Sequence, residues 1–399
     1  MTKLSIIMPV YNNEKYFPIA VKSVENQNYD NYELIVIDDG STDRTPQIAD
    51  ALAEKNSHIK VIHQNNQWIY NSFNSGIAVA TGEYIYILNS DDCLLPGVFE
   101  LFERNINMYH PDIIWTKVLI HICDVEQNII LYDKYNLDRS IEKDYFYAQK
   151  EEVEKGWPFF LSSRLAKNQA NLYRREIMQN QLFRNDVYGA DTLYNIAIAD
   201  KINSALVLRQ PVYFQYIYEN DLMNISNGKY YSYEHAMFNE IFSQYKSLFQ
   251  KWKLASFEYE NILCKRRMKD LSVELRNLQA KNCPLSLEEK LQFAFSGCID
   301  GIIEECASKN NRQEELESRI LSAVRELIIK EPIDKESKMY FVYELLESLL
   351  CYEKEEGDFR KIEHAINHPL NPLHIGNTFY KKLIDGRKGE QGGTISKDV

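Results

Sequence analysis

Short apolar runs alternate with helix-period stretches through the first part of the chain, and this alternation restricts the fold more than any other feature. The runs are Leu4 to Val10, Glu33 to Ile37, Ile59 to His63 and Tyr84 to Leu88. Between the first two, Tyr16, Phe17, Ala20, Val21 and Val24 recur at the spacing of an amphipathic helix. A second helix is expected from Pro46, with Asp43 or Thr45 as its cap and Ile48, Ala49, Leu52 and Ala53 on one face. A third is expected over residues 70–80. Strand and helix in strict alternation predict a mainly parallel sheet covered on both faces.

Sheets of this kind take ligands beyond the carboxyl ends of their strands. Here each run ends in polar residues: Tyr11-Asn12-Asn13, Asp38-Asp39-Gly40-Ser41, Gln64-Asn65-Asn66 and Asn89-Ser90-Asp91-Asp92. Four such termini on one edge make a candidate site. A diphosphate there needs either a glycine-rich loop at a helix N-terminus or a divalent metal. The chain has only 15 Gly and lacks both G-x-x-x-x-G-K-[ST] and G-x-G-x-x-G. Charge neutralisation is therefore expected from Mg2+ or Mn2+ on the oxygen ligands of residues 89–92.

Ser5 to Asn12, with Glu33 to Asp43, resembles the opening of family 2 glycosyltransferases in order and spacing. Asn74-Ser75-Gly76-Ile77-Ala78, Ala80 to Ile85 and Asn89 to Pro96 resemble the family's approach to its D-x-D element and the element itself. Phe183-Arg184-Asn185-Asp186 and Gly189 to Leu193 resemble the stretch with its catalytic carboxylate. The resemblance covers residues 3–220. It implies a GT-A fold and inverting transfer from a UDP-sugar. By position it assigns Pro9, Val10 and Tyr11 to the base and ribose, Asp39 to the uracil N–H, and Asn66 and Asn74 to the closing segment. It places Asn89 and Ser90 near ribose and phosphate, makes Asp91 the metal ligand and Asp191 the general base, with Asp186 as the runner-up. Two departures stand out: Asn89 replaces the first Asp of D-x-D, and Gln67-Trp68-Ile69-Tyr70-Asn71-Ser72-Phe73 replaces a Gly-rich, Arg-containing loop.

After a mixed stretch with strand-like runs at residues 113–122 and 206–218 and a helix near 191–199, helix-period segments dominate. They cover residues 238–253, 259–278, 287–306, 314–329 and 339–353. Residues 1–228 are expected to form the catalytic domain, 229–385 an all-helical add-on and 386–399 a polar tail. Basic side chains number 21 against 30 acidic ones up to residue 229, and 25 against 28 beyond it. No half is basic, which speaks against nucleic acid as a partner. Seven cysteines without a C-x-x-C pair fit reduced thiols, and no run of about 18 apolar residues could span a membrane. A cytoplasmic protein is expected. Eight scattered histidines offer no zinc spacing; His63 is read as a strand end and His235 as a helix-surface residue. Trp68, Trp115 and Trp157 are candidates for sugar contact. Lys265-Arg266-Arg267 with Lys269 reads as a solvated helix face.

The function expected is hexose transfer from a UDP-sugar to a hydroxyl of a glycan or glycopeptide acceptor. By family analogy, the acceptor belongs to a bacterial surface glycoprotein such as a serine-rich-repeat adhesin. The alternatives are a transferase for capsule or teichoic-acid glycans, and a catalytically weak scaffold that joins a homo-oligomer or glycosylation complex through its helices.

Overall fold

A computed structural model describes residues 1–123, 129–132, 141, 143–162, 168–218, 228–254, 256–309 and 312–330. Strands β1 (Leu4–Val10), β2 (Tyr32–Asp38), β3 (Ile59–His63) and β4 (Tyr84–Ile87) lie parallel in the order β3-β2-β1-β4. Helices α1 (Phe17–Glu25), α2 (Thr45–Lys55) and α3 (Ile69–Val79) connect them. β1 and β2 are buried along their whole length, as near-continuous apolar strands covered on both faces must be. Pro46 occupies the first turn of α2, but the cap position falls on Arg44, which makes no side-chain cap bond, rather than on Asp43 or Thr45; Asp43, one residue before it, accepts the Thr45 N–H through Oδ1 at 2.9 Å. The register pairs Val10 with Asp38, Asp38 with His63 and Ile7 with Ile87, which brings the strand ends to one edge.

Past β4 the sheet becomes mixed. Along the chain follow β5 (Cys93–Leu94), α4 (Val98–Tyr109), β6 (Ile113–Cys123), β7 (Ile129–Tyr132), β8 (Tyr145–Tyr147), α5 (Lys150–Ser162), β9 (Asn171–Arg174), α6 (Arg175–Met178), α7 (Ala190–Ala199) and β10 (Ala205–Tyr218). β9 inserts antiparallel between β4 and β6, and β10 runs parallel to β6 with a register shift on either side of Pro211. Proline has no N–H for the ladder, so an irregularity there is expected. The class is α/β with a helical continuation, as the sequence predicts.

α8 (Glu234–Lys251) and α9 (Phe257–Asn277) pack together and belong to the same compact unit as the sheet, which comprises Met1–Asn282 and Glu305–Arg312. The last described strand ends at Tyr218 and α8 begins at Glu234, while packing continues the sheet's unit to Asn282. Among the described residues, the other unit comprises Cys283–Glu304 and Gln313–Lys330, with α10 (Leu287–Gln292), a π-helical turn at Phe293–Gly297 and α12 (Gln313–Lys330). The single helix expected over 287–306 is interrupted: Asp300 Oδ1 accepts the N–H groups of Ile302 and Ile303, each at 3.0 Å, and starts α11 (Gly301–Ser308) anew. The segment 339–353 and the tail 386–399 lie outside the described residues. Among the described residues, Cys93, Cys264, Cys283, Cys298 and Cys306 are free thiols.

Three surface expectations are corrected by packing. Arg267 is 1 % exposed, not solvated: it donates to Glu274 at 2.7 Å and Asn239 at 2.8 Å between α8 and α9. His235 belongs to the same cluster, with Nδ1 at 2.6 Å from Glu274, rather than to an open helix face. Trp115 and Trp157 are buried and pack edge to face at 5.6 Å, so neither can meet a sugar.

Candidate active site

The carboxyl edge of β1, β2 and β3 is built around two adjacent carboxylates with different duties. Asp38 Oδ1 accepts the Ser41 N–H at 3.1 Å and Oδ2 faces His63 Nδ1 at 2.8 Å, which fastens the β2 end to its own loop and to β3. Both partners raise the His63 pKa: the hydrogen bond to Asp38 first, then that to Asp50. Asp39 is buried, and its N–H donates to the Val10 carbonyl at 2.9 Å. Its Oδ1 accepts from Gln64 Nε2 at 2.7 Å and from the Gln67 N–H at 3.0 Å. Among the described residues no hydrogen bond reaches Oδ2. Gly40 follows at φ +76°, where an added Cβ would come within 2.8 Å of the Asn66 nitrogen; only glycine lets the Asn66 backbone lie so close. Of the residues assigned to base and ribose, Pro9 and Val10 are buried in the strand, while Tyr11 is 42 % exposed at the edge.

At the β4 end, Asn89-Ser90-Asp91-Asp92 is held from two sides. Asn13, itself buried, donates through Nδ2 to the Ser90 carbonyl at 2.9 Å and to Ser90 Oγ at 3.1 Å. Asp92 accepts from Tyr213 Oη at 2.5 Å, from the Tyr216 N–H at 3.0 Å and from Asn89 Nδ2 at 3.2 Å. Burial pushes the Asp91 carboxyl above the usual carboxylate range, and burial together with the neighbouring Asp91 does the same to Asp92. Among the described residues, buried Asn89 Oδ1 accepts no hydrogen bond. An orphaned oxygen beside two desolvated carboxylates is an arrangement that a cation would relieve. Among the described residues no three His, Cys, Asp or Glu gather into a metal cage. The donor set therefore suits a hard cation that takes one or two protein oxygens and completes its shell with phosphate and water.

The candidate base stands on a different element. Asp191 lies in the first turn of α7, where the positive end of the helix favours an ionised carboxylate, and its Oδ1 accepts the Thr192 N–H at 2.7 Å. The preceding loop is tied to α3. Tyr70 Oη donates to the Tyr188 carbonyl. Asn74 spends both ends of its amide on the Phe183 backbone, Nδ2 donating at 2.9 Å and Oδ1 accepting at 2.8 Å. This places Asn74 in the scaffold of the Asp191 loop. α3 also meets Gln64, through Ser72 Oγ at 3.2 Å and Ser75 Oγ at 2.8 Å, so one helix links the Asp39 group to the Asp191 loop. Asp186, the other candidate base, is exposed and gripped by Arg184 at 2.9 and 2.7 Å, which holds it below its ordinary range. The supporting roles of Asn13, Tyr188 and Tyr213 have no local signature. Asn13 shows only as a polar strand terminus, and Tyr213 reaches Asp92 across 121 residues.

An α/β sheet with a carboxylate-lined carboxyl edge is of the kind that takes ligands beyond the ends of its parallel strands. Residues 5–179 match the model for Glycosyl transferase family 2. Glycosyltransferase GlyG of Streptococcus pneumoniae is 32 % identical over 146 residues, which cover 36 % of this chain and 43 % of that protein. A GalNAc(5)-diNAcBac-PP-undecaprenol beta-1,3-glucosyltransferase of Campylobacter jejuni is 26 % identical over 191 residues, or 47 % and 57 % of the two chains. The chain thus spans about half the length of these relatives. A crystal structure of TarS from S. aureus is similar at a TM-score of 0.46 and 17 % identity, covering 82 % of this chain and 54 % of that one. Among the described residues no helix is long and apolar enough to cross a membrane.

Proposed function

We propose that this protein transfers a hexose from a UDP-sugar to a hydroxyl of a glycan acceptor, with inversion at the anomeric carbon. The acceptor proposed is a glycan of a bacterial surface glycoprotein. The observation that carries the reading is Asp39, a buried carboxylate fixed through Oδ1 with Oδ2 left to accept, at the sheet edge that also bears the desolvated Asn89–Asp92 loop. A carboxylate held in this way selects a ring N–H such as that of uracil. Tyr11 offers an exposed ring beside the base, and Asn66 closes over it. Asn89 and Ser90 are assigned to ribose and phosphate. Asp91, with Asn89, would hold Mg2+ or Mn2+, which when bound supplies neutralisation of charge on the departing diphosphate.

Asp191 accepts the proton of the acceptor hydroxyl as that oxygen attacks the anomeric carbon from the face opposite the nucleotide. The bond to the diphosphate oxygen breaks, and UDP leaves with the electron pair. The test is UDP release from UDP-glucose, UDP-galactose and UDP-GlcNAc with a panel of acceptor glycopeptides, in Mn2+ and after chelation. Turnover from at least one donor is expected, with loss on chelation. Asp191→Asn should lower kcat by about 10²- to 10⁴-fold while leaving the melting temperature within about 2 °C. No turnover from any donor would sink the proposal.

A further inference from the structure

Trp68 combines two features that ordinary packing does not explain. Its backbone sits at φ 77°, ψ 154°, a region that glycine enters freely and other residues enter only at a cost. Its indole is 37 % exposed. The other three tryptophans are buried, at 8 % exposure or less, and each packs edge to face against another ring. Among the described residues Trp68 stacks on none.

The strain is held in place from both sides. The preceding Gln67 N–H donates to Asp39 Oδ1 at 3.0 Å, and the Trp68 carbonyl accepts from the N–H groups of Asn71 and Ser72 at 3.1 and 3.3 Å. Two residues on, Tyr70 Oη holds the Tyr188 carbonyl in the loop that leads to Asp191. The indole is thus displayed on the short segment joining the Asp39 group to the Asp191 loop. Strained residues persist where their neighbours over-determine them, and they concentrate at ligand clamps. An indole presents a large, rigid apolar face with little conformational entropy to lose, which suits the C–H face of a pyranose.

We propose that Trp68 is a carbohydrate platform on which a pyranose ring, of donor or acceptor, stacks beside the nucleotide. The proposal rests on the UDP-sugar reading above, and the test separates the two. Because Trp68 is the one exposed tryptophan, acrylamide quenching of the wild-type protein reports on it selectively. Calorimetry with UDP, repeated on Asp39→Ala, first establishes whether the nucleotide binds. If UDP does not bind, the functional reading fails and the platform with it. If UDP binds, protection of the indole by UDP-GlcNAc, UDP-glucose or UDP-galactose beyond that given by UDP assigns the platform to the donor. Protection by methyl hexopyranosides in the presence of UDP assigns it to the acceptor. UDP binding with no protection by either class overturns the platform and leaves the functional reading standing.

Trp68→Gly adds a readout that a structural tryptophan would move the other way. Glycine relieves the strain, so the melting temperature should rise by about 2 °C, while KM for the stacked sugar rises about tenfold or more and Trp68→Phe recovers part of the loss. A lower melting temperature, or kinetics within twofold of wild type, would count against the platform.

Discussion

Asp38 and Asp39 are neighbours with nearly equal burial, yet hydrogen bonding gives them opposite roles. Asp38 commits both oxygens to its own loop and to His63, whereas Asp39 commits only Oδ1. Replacing Asp39 by Ala removes the acceptor for a ring N–H and strands Gln64 Nε2. Hydrogen bonds to a charged group contribute about 1.5–3 kcal/mol, so UDP affinity should fall roughly 10- to 100-fold. Asp38→Asn, which loses an ion pair with a half-exposed histidine, should leave UDP binding nearly unchanged while lowering the melting temperature. Calorimetry on the two variants distinguishes them; equal effects on Kd would show that Asp39 does not read the base. The D-D-G run marks both carboxylates in the sequence as candidates. Which of them is spent locally was not legible, because the deciding partners, His63 and Gln64, lie 25 residues away.

At the scale of elements, strand and helix positions over residues 4–88 were legible because each element carries its own periodicity. The stretch that follows was less so: β9 pairs with β4 and β6 through contacts some 60 to 90 residues distant, and no local pattern encodes them. The same limit hid the function of α8 and α9. Glu234, at the start of α8, accepts from Tyr188 Oη and from Asn277 Nδ2 at 2.9 Å, so these helices brace the loop before Asp191. Burial raises the Glu234 carboxyl from an ordinary 4.5 to about 7, despite those two donors. Between these values the folded chain holds a proton that the unfolded chain has lost. The stabilisation from this group is therefore complete below about pH 4.5 and disappears as pH rises through about 7. Glu234→Gln keeps the accepting oxygen and carries no charge. Its stability relative to wild type should grow as pH rises from about 5 to 8, as urea unfolding at several pH values would register. A difference independent of pH would show that Glu234 is ionised throughout.

Across the molecule, the parallel half of the sheet is held by one buried carboxylate that reads in the sequence only as the first residue of an apolar run. Glu33 Oε1 accepts from Ser5 Oγ at 2.6 Å, from the Thr81 N–H at 2.7 Å and from Thr81 Oγ1 at 2.8 Å, and Oε2 accepts from Lys60 Nζ at 2.6 Å. It thereby joins β1, β2, β3 and the connection into β4 at the edge opposite the site. Burial alone would raise its pKa, but the bonds from Lys60, Ser5 and Thr81 prevail and lower it from 4.5 to about 2. The unfolded chain takes up a proton near pH 4.5 while the folded chain stays ionised to about pH 2. The stabilisation is complete above the first value and lost as pH falls through the second. The shift corresponds to about 3 kcal/mol at neutral pH. Glu33→Gln keeps one acceptor for Ser5 and Thr81 but surrenders the charge facing Lys60. Its deficit against wild type should be about 2–3 kcal/mol at pH 7 and narrow as pH falls from about 4.5 toward 2. Because Glu33 sits at the amino ends of the strands, UDP affinity should change little wherever the variant remains folded. A deficit that stays constant with pH would assign the loss to packing, and a matching loss of UDP binding would show that the two edges of the sheet are coupled.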